Sequence, residues 1–233
     1  VTNPEILAAA RRGRPDANLY TWVDANWFHV RPHYEFGPFK DYRVRHAMHM
    51  AFDYQANGDA VYGSEGGWAW MASVHPAFPE GWSPDKVKTL PGYNPDTREA
   101  DVAEGHKLMT AAGYPNGKGI EYEIIHSGST NDHALRFQHY FNSTFKEGKA
   151  SVKPLGGGAT FANRQSSGDF QMLAYTITAT TDAVVEMASQ YKTGGSRNYG
   201  RFTNAESDAL IDKTFAELNF ERRKELMDQY QKK

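Results

Sequence analysis

Apolar residues recur along this chain at two periods, and the switching between them sets out its elements. From Val44 through Ala47/Met48 to Ala51/Phe52 they fall at i, i+3/i+4 and i+7/i+8, the stripe of an amphipathic helix. Asp41 suits the N-cap and Pro38 disfavours a helical residue before it, so the pattern predicts one helix from Asp41 to about Tyr62. A helix from Thr97 to Ala112 is closed by Gly113, with Pro115 beyond. Others are expected before Gly13 and Pro15, where Asn3-Pro4 form the start, over Asn131–Phe145, as a short piece over Phe161–Gln165, over Ala205–Leu218, and from Glu221 to the end. Strand patterns fall on Ile120–Ile125, Val152–Leu155 and Phe170–Ile177, with one or two more across the aromatic stretch Leu19–Val30. Strands alternating with helices predict an α/β sheet. Gly63–Pro95 reads as a long irregular stretch of Gly, Pro and Trp, and loops of that length are commonly functional.

At 233 residues the chain suits one large domain or two small ones with a substantial core. Twenty-six basic against 28 acidic residues give a net charge of −2, which argues against a nucleic-acid partner held by a broad basic surface. No apolar run approaches the ~20 residues of a membrane span. Val1-Thr2-Asn3-Pro4 does not open a signal peptide. With no cysteine, disulfides and thiol chemistry are excluded. A first residue other than methionine and an unfinished final helix pattern point to a piece of a longer protein.

Nine histidines invite a metal reading. His46, His49 and Asp53 lie at i, i+3 and i+7 on the predicted helix, yet HExxH is absent and a polar helix face explains them. His29 and His33 flank Pro32 without helical spacing, while His126, His133 and His139 are scattered. No metal and no cofactor are predicted. There is no G-x-S-x-G elbow; Ser127-Gly128-Ser129 reads as a turn, and Gly156-Gly157-Gly158 lacks the G-K-[ST] of a phosphate loop. Asp182 and Glu186 stand four apart on a predicted helix, either as a carboxylate pair or as acids favoured at a helix N-terminus. Trp68, Trp70 and Trp82 sit in the Gly/Pro loop, as stacking faces for a ligand or as a satellite core beneath it.

Several blocks carry a resemblance. Pro38-Phe39-Lys40-Asp41-Tyr42-Arg43-Val44-Arg45 with Ala47 resembles the central signature of the family 5 extracellular solute-binding proteins, receptors of ABC importers for peptides, nickel and some oligosaccharides. Tyr93-Asn94-Pro95-Asp96 leading to Ala111-Ala112-Gly113-Tyr114, Asp169-Phe170-Gln171-Met172 before Tyr175, Asn198-Tyr199 before Asn204–Ile211, and Arg223 with Tyr230-Gln231 follow in the family's order. The resemblance implies a periplasmic-binding-protein-like lobe with a mixed β-sheet flanked by helices. Residues 1–233 would be a single ligand-binding lobe, the second of a longer two-lobe receptor. It implies binding of an oligopeptide or another small polar solute such as an oligosaccharide, delivery to ABC permease subunits, a monomer without covalent chemistry, and a periplasmic or extracellular place as lipoprotein or soluble protein. Peptide-binding members carry an aspartate for the ligand's α-amino group shortly after an aromatic residue. Counted from Tyr175 that position is Thr178, and the nearest acid is Asp182. A hydroxyl cannot be the Coulomb partner of an ammonium and suits an uncharged, polyhydroxylated ligand better. The expected ligand-binding residues are Trp68, Trp70, Trp82, Tyr175, Thr178, Thr180, Asp182, Arg197 and Tyr199. The alternative is a hydrolase domain using Asp182 and Glu186, or a metal on the helix from Asp41.

Overall fold

The computed structural model describes residues 4–18, 20, 26–63, 70–156, 158–178 and 182–233. After helix α1 (Pro4–Gly13) comes strand β1 (Asn26–Pro32). Most of the aromatic stretch before Asn26 lies outside the described residues. A 3-10 turn at Gly37–Lys40 leads into α2 (Tyr42–Ala51), where the Asp41 carboxylate accepts the Arg43 N–H at 2.8 Å. The Arg43 guanidinium returns to Asp41 and donates to the Ala111 carbonyl at 2.7 Å. Arg45 donates to the carbonyls of Phe39 and Lys40 at 2.6 and 3.0 Å, and Val44 between the two arginines is buried. The D-x-R-V-R run is therefore a capping device around one buried apolar residue.

One long helix from Asp41 to Tyr62 is not what forms. The helix stops at Ala51 and α3 (Tyr54–Tyr62) starts afresh on Asp53, whose carboxylate accepts the Ala56 N–H at 2.9 Å. Arg98 stands across the break. Its guanidinium donates to the carbonyls of Met50 at 2.6 Å, Ala51, and Phe52 at 3.4 Å, satisfying acceptors that the broken helix leaves open.

Among the described residues of the irregular stretch lies the short helix α4 (Pro84–Lys88). Helix α5 (Arg98–Ala111) ends at Gly113 with φ +92°, where the Tyr114 and Gly113 N–H groups bond Met109 and Thr110 carbonyls at 3.0 and 2.9 Å. There follow β2 (Glu121–His126), α6 (Asn131–Thr144), β3 (Lys149–Pro154), α7 (Gly158–Ser167), β4 (Met172–Thr178), α8 (Ala183–Tyr191), α9 (Ala205–Ala216) and α10 (Phe220–Gln231).

The sheet runs β1-β4-β2-β3, with β1 antiparallel to β4 and the other pairs parallel. Period-two alternation splits it into two apolar faces. Tyr122, Ile124, Met172 and Ala174 meet Val44, Ala47 and Met48 of α2, Met109 of α5 and Phe141 of α6. Trp27, Ile125, Leu173, Tyr175 and Ile177 meet Phe161 of α7, Val184 and Met187 of α8, Ile211 of α9 and Met227 of α10. Ile124 and Ile125, adjacent and each fully buried, contribute to opposite cores, roughly 1.5–3 kcal/mol apiece.

Candidate functional site

The crossovers mark a candidate site. β2 connects through α6 to β3 over one face, and β3 connects through α7 to β4 over the other. Since β3 and β4 flank β2, the chain reverses its progress there, and ligands of such sheets bind outside the carboxyl ends at this switch. The mouth is formed by the turn after His126, by Thr178 at the end of β4, and by Asn26, which pairs with Thr178. Thr130 ties the turn to β4 by donating to the Ala174 carbonyl at 3.0 Å.

Beneath the mouth, Trp27, His29 and Arg31 project from one face of β1 opposite Ile177, Tyr175 and Leu173. Trp27 stacks under His75 at 5.5 Å between ring centres and lies 5.8 Å from His29. His29 stacks on Tyr175 at 5.1 Å, and Tyr175 meets Tyr199 edge-on at 5.7 Å. Burial, with the Arg31 charge added, pushes the His29 pKa well below its ordinary value, so this imidazole is neutral.

Arg31 is buried and donates to the Gln190 side-chain oxygen at 3.0 Å and to the Arg197 and Gln190 carbonyls, each at 3.3 Å. The rings of Tyr191 and Tyr175 lie 4.8 and 5.6 Å from its guanidinium carbon. Glu186, fully buried, accepts from Gln190 Nε2 at 2.5 Å and from Arg197 Nη1 at 3.1 Å. Arg197, about one-third exposed at 35%, also donates to the Thr178 carbonyl at 3.3 Å. On the sheet's other face, Phe28 stacks on His133 at 3.9 Å, and His133 Nε2 lies 2.9 Å from the Tyr62 hydroxyl.

Of the residues expected from sequence, Tyr175, Thr178, Arg197 and Tyr199 meet here. Trp68 and Thr180 lie outside the described residues. Trp70 and Trp82 are buried in a satellite core around Val87, flanked by Tyr54 and Tyr93. Trp82 donates its indole N–H to Asp228 at 2.8 Å, with the Lys86 ammonium 3.9 Å above its ring, a placement that accounts for it as packing. Asp182 caps α8, accepting Val184 and Val185 N–H groups at 2.8 and 3.0 Å and Arg223 Nη2 at 2.9 Å. Burial would raise its pKa, but these bonds outweigh it and hold the carboxyl below its ordinary value. It borders a cavity of about 330 Å³ walled by Phe78, Pro79, Leu218 and Phe220.

A larger groove of about 530 Å³ lies at the opposite end of β4, along Glu123, Arg164 and Asp169. Arg164 is ion-paired there to Asp169 at 3.2 Å and to Glu123 at 3.9 Å. Topology and chemistry, rather than volume, make the carboxyl end the candidate site.

The carboxylate pair proposed for hydrolysis is split between two arginines, Asp182 with Arg223 and Glu186 with Arg197. A general acid needs a raised pKa, and that of Asp182 is lowered. His46 faces Tyr42, His49 lies between the Tyr54 hydroxyl and the Pro91 carbonyl, and Asp53 caps α3. Among the described residues no three metal-ligating side chains converge.

Sequence reasoning missed Trp27, His29, Arg31 and Gln190. The signal was W-x-H-x-R at period two, which puts all three side chains on one face of a strand; helical spacing does not detect it.

The family description "Bacterial extracellular solute-binding proteins, family 5 Middle" matches residues 4–199. Heme-binding protein A of Haemophilus influenzae is 24% identical over 223 residues, 93% of this chain and 39% of that protein. The structure of Haemophilus influenzae OppA in complex with RPPGFSPFR superposes with TM-score 0.82 at 16% identity, covering 98% of this chain and 44% of that one. The Escherichia coli murein tripeptide binding protein MppA gives 0.78 at 18%, covering 98% and 43%. The chain thus spans less than half the length of these relatives.

Proposed function

This chain belongs to the bacterial extracellular solute-binding proteins of family 5, and we propose that residues 1–233 form one ligand-binding lobe of a longer two-lobe receptor serving an ABC importer. The observation that carries this reading is the convergence of Tyr175, Thr178, Arg197 and Tyr199 at the switch point of the sheet. Such a wall offers an aromatic face, a hydroxyl and a rim cation, and among the described residues no poised acid, base or nucleophile. It suits a small polar solute, a peptide or an oligosaccharide, enclosed as a second lobe closes and then released unchanged to the permease. The receptor acts outside the cytoplasm as a monomer. Among the described residues no helix is long and apolar enough to cross a membrane.

One experiment tests this. The full-length protein is purified and its bound solute identified by mass spectrometry after denaturation. A stoichiometric small polar solute is the expected result. Turnover of ester, peptide or glycoside substrates, or a protein that retains no solute and binds none from a broad panel, overturns the reading. The lobe by itself should bind weakly, because half of the enclosing surface is absent.

A further inference from the structure

Three buried polar atoms in the β1/β4 wall have no hydrogen-bond partner among the described residues: Trp27 Nε1, His29 Nε2 and the Tyr175 hydroxyl. They belong to one continuous run of rings, since Trp27 meets His29 and His29 stacks on Tyr175. Buried polar atoms left unsatisfied are uncommon, and three in one run call for an explanation. Each of the three can donate, and only the Tyr175 hydroxyl can also accept. Indole nitrogen only donates. Arg31 Nη2 lies 3.3 Å from His29 Nδ1, and a guanidinium only donates, so Nδ1 accepts and the proton of the neutral ring sits on Nε2. Tyr175 completes a row of three available N–H or O–H donors.

The charge behind this row has the same bias. Arg31 is buried and ion-paired to no carboxylate among the described residues; its partners are carbonyl oxygens, the Gln190 amide oxygen, His29 and the Tyr191 side chain. The neighbouring acid, Glu186, is engaged by Arg197 and Gln190. Two arginines against one glutamate leave the wall positive. We infer that the Trp27–His29–Tyr175 wall is a subsite for an anionic, acceptor-bearing group of the solute, a carboxylate, with Arg197 at the rim. The inference rests on the receptor reading and adds the ligand chemistry: the wall favours a carboxylate and rejects an ammonium. The donors are screened from solvent in this structure, so a ligand group reaches them by displacing neighbours such as the His75 ring on Trp27.

The test uses ¹⁵N-labelled full-length protein freed of bound solute, with acetate as the carboxylate probe and methylammonium as the cationic control at equal ionic strength. The Trp27 indole N–H is assigned by its loss in Trp27→Phe. Acetate should shift that resonance saturably, and methylammonium should leave it in place. Tyr175→Phe, which deletes only a hydroxyl, should weaken the acetate response about tenfold. His29→Phe should weaken it similarly, and an unchanged fold is checked by the remaining indole resonances. No acetate response, an equal response to methylammonium, or a full response in both variants overturns the inference. If acetate fails while the protein still retains a solute, the receptor reading stands and only the carboxylate subsite falls. If no solute is retained at all, the receptor reading falls.

Discussion

Acidification should destabilise this lobe through His133. Its ring is stacked on Phe28, its Nε2 meets the Tyr62 hydroxyl, and its Nδ1 lies 3.5 Å from the Asn57 side-chain amide nitrogen. Burial lowers its pKa to about 4 from an ordinary 6.5; Arg136 adds to the drop and Asp132 offsets part of it. Between these values the unfolded chain binds a proton that the folded chain refuses, so stability rises with pH across the window and is lost as pH falls through it. Linkage puts the loss at about 2 kcal/mol on going from pH 7.5 to 5, and about 3 kcal/mol at pH 4. For a domain of ordinary stability, roughly 5–15 kcal/mol, that is a large share. His49, also lowered to about 4 by burial, acts in the same direction from a partly buried position. The assay is urea unfolding followed by tryptophan fluorescence at half-unit steps from pH 7.5 to 4.5, for the wild type and His133→Gln. The variant lacks the titrating group, so the stability difference between the two proteins should shrink by about 2 kcal/mol by pH 5. A difference that stays constant across the series would refute the reasoning, whatever the other histidines do.

Other expectations follow from single contacts. Arg98→Ala leaves three carbonyls at the α2/α3 break without their donor and should cost about 2–3 kcal/mol, with faster amide exchange in the last turn of α2; unchanged exchange would mean the break is held otherwise. A Cβ at Gly195 would stand 2.4 Å from the Ala188 carbonyl oxygen and 2.6 Å from that of Ser189, so Gly195→Ala should cost about 1–3 kcal/mol in urea unfolding. Because the Arg197 N–H bonds the Ser189 carbonyl at 2.8 Å, that variant should also weaken solute binding; calorimetry showing intact affinity would separate this turn from the site. Trp82→Phe removes the donor to Asp228 and should cost about 1 kcal/mol while leaving solute affinity unchanged. A fall in affinity would return Trp82 to the cleft.

Much of the fold was legible because local rules govern it. Gly113 with φ +92° and Asn204, which accepts the Glu206 and Ser207 N–H groups at 3.0 Å, are helix-boundary signals that any chain context would respect. The break after Ala51 was not legible, because its support comes from Arg98, a residue 46–48 positions away in sequence. The apolar stripe runs through the break without interruption, and Asp53 looks like one more polar face residue until its role as a cap is seen. Trp82 presents the same difficulty in reverse. A tryptophan in a Gly/Pro loop reads equally as a ligand platform or a packed ring, and only the contact with Asp228 distinguishes the two. The donor row on β1 depends on strand pairing with β4, and sequence cannot supply the register that sets His29 against Tyr175.

Most of the residues that make the family recognisable, Tyr175 and Tyr199 apart, are scaffold residues, and this explains why membership is easier to read than ligand. Asp41 and Arg45 build a helix entrance. Asn198 folds a loop by donating to the Lys192 and Phe202 carbonyls and accepting the Phe202 N–H. Tyr230 fills the core. Each satisfies backbone groups or buries apolar surface whatever solute is carried, so each is constrained by folding alone. The wall at the switch point is under a different constraint. Trp27, His29 and Tyr175 leave polar atoms unpaired in the lobe, a local cost that folding does not require. Replacing Tyr175 by Phe, which removes only the unpaired buried hydroxyl, should therefore leave the folded lobe as stable as the wild type, or more stable, in urea unfolding. A marked loss of stability in that variant would show that the hydroxyl serves the scaffold after all.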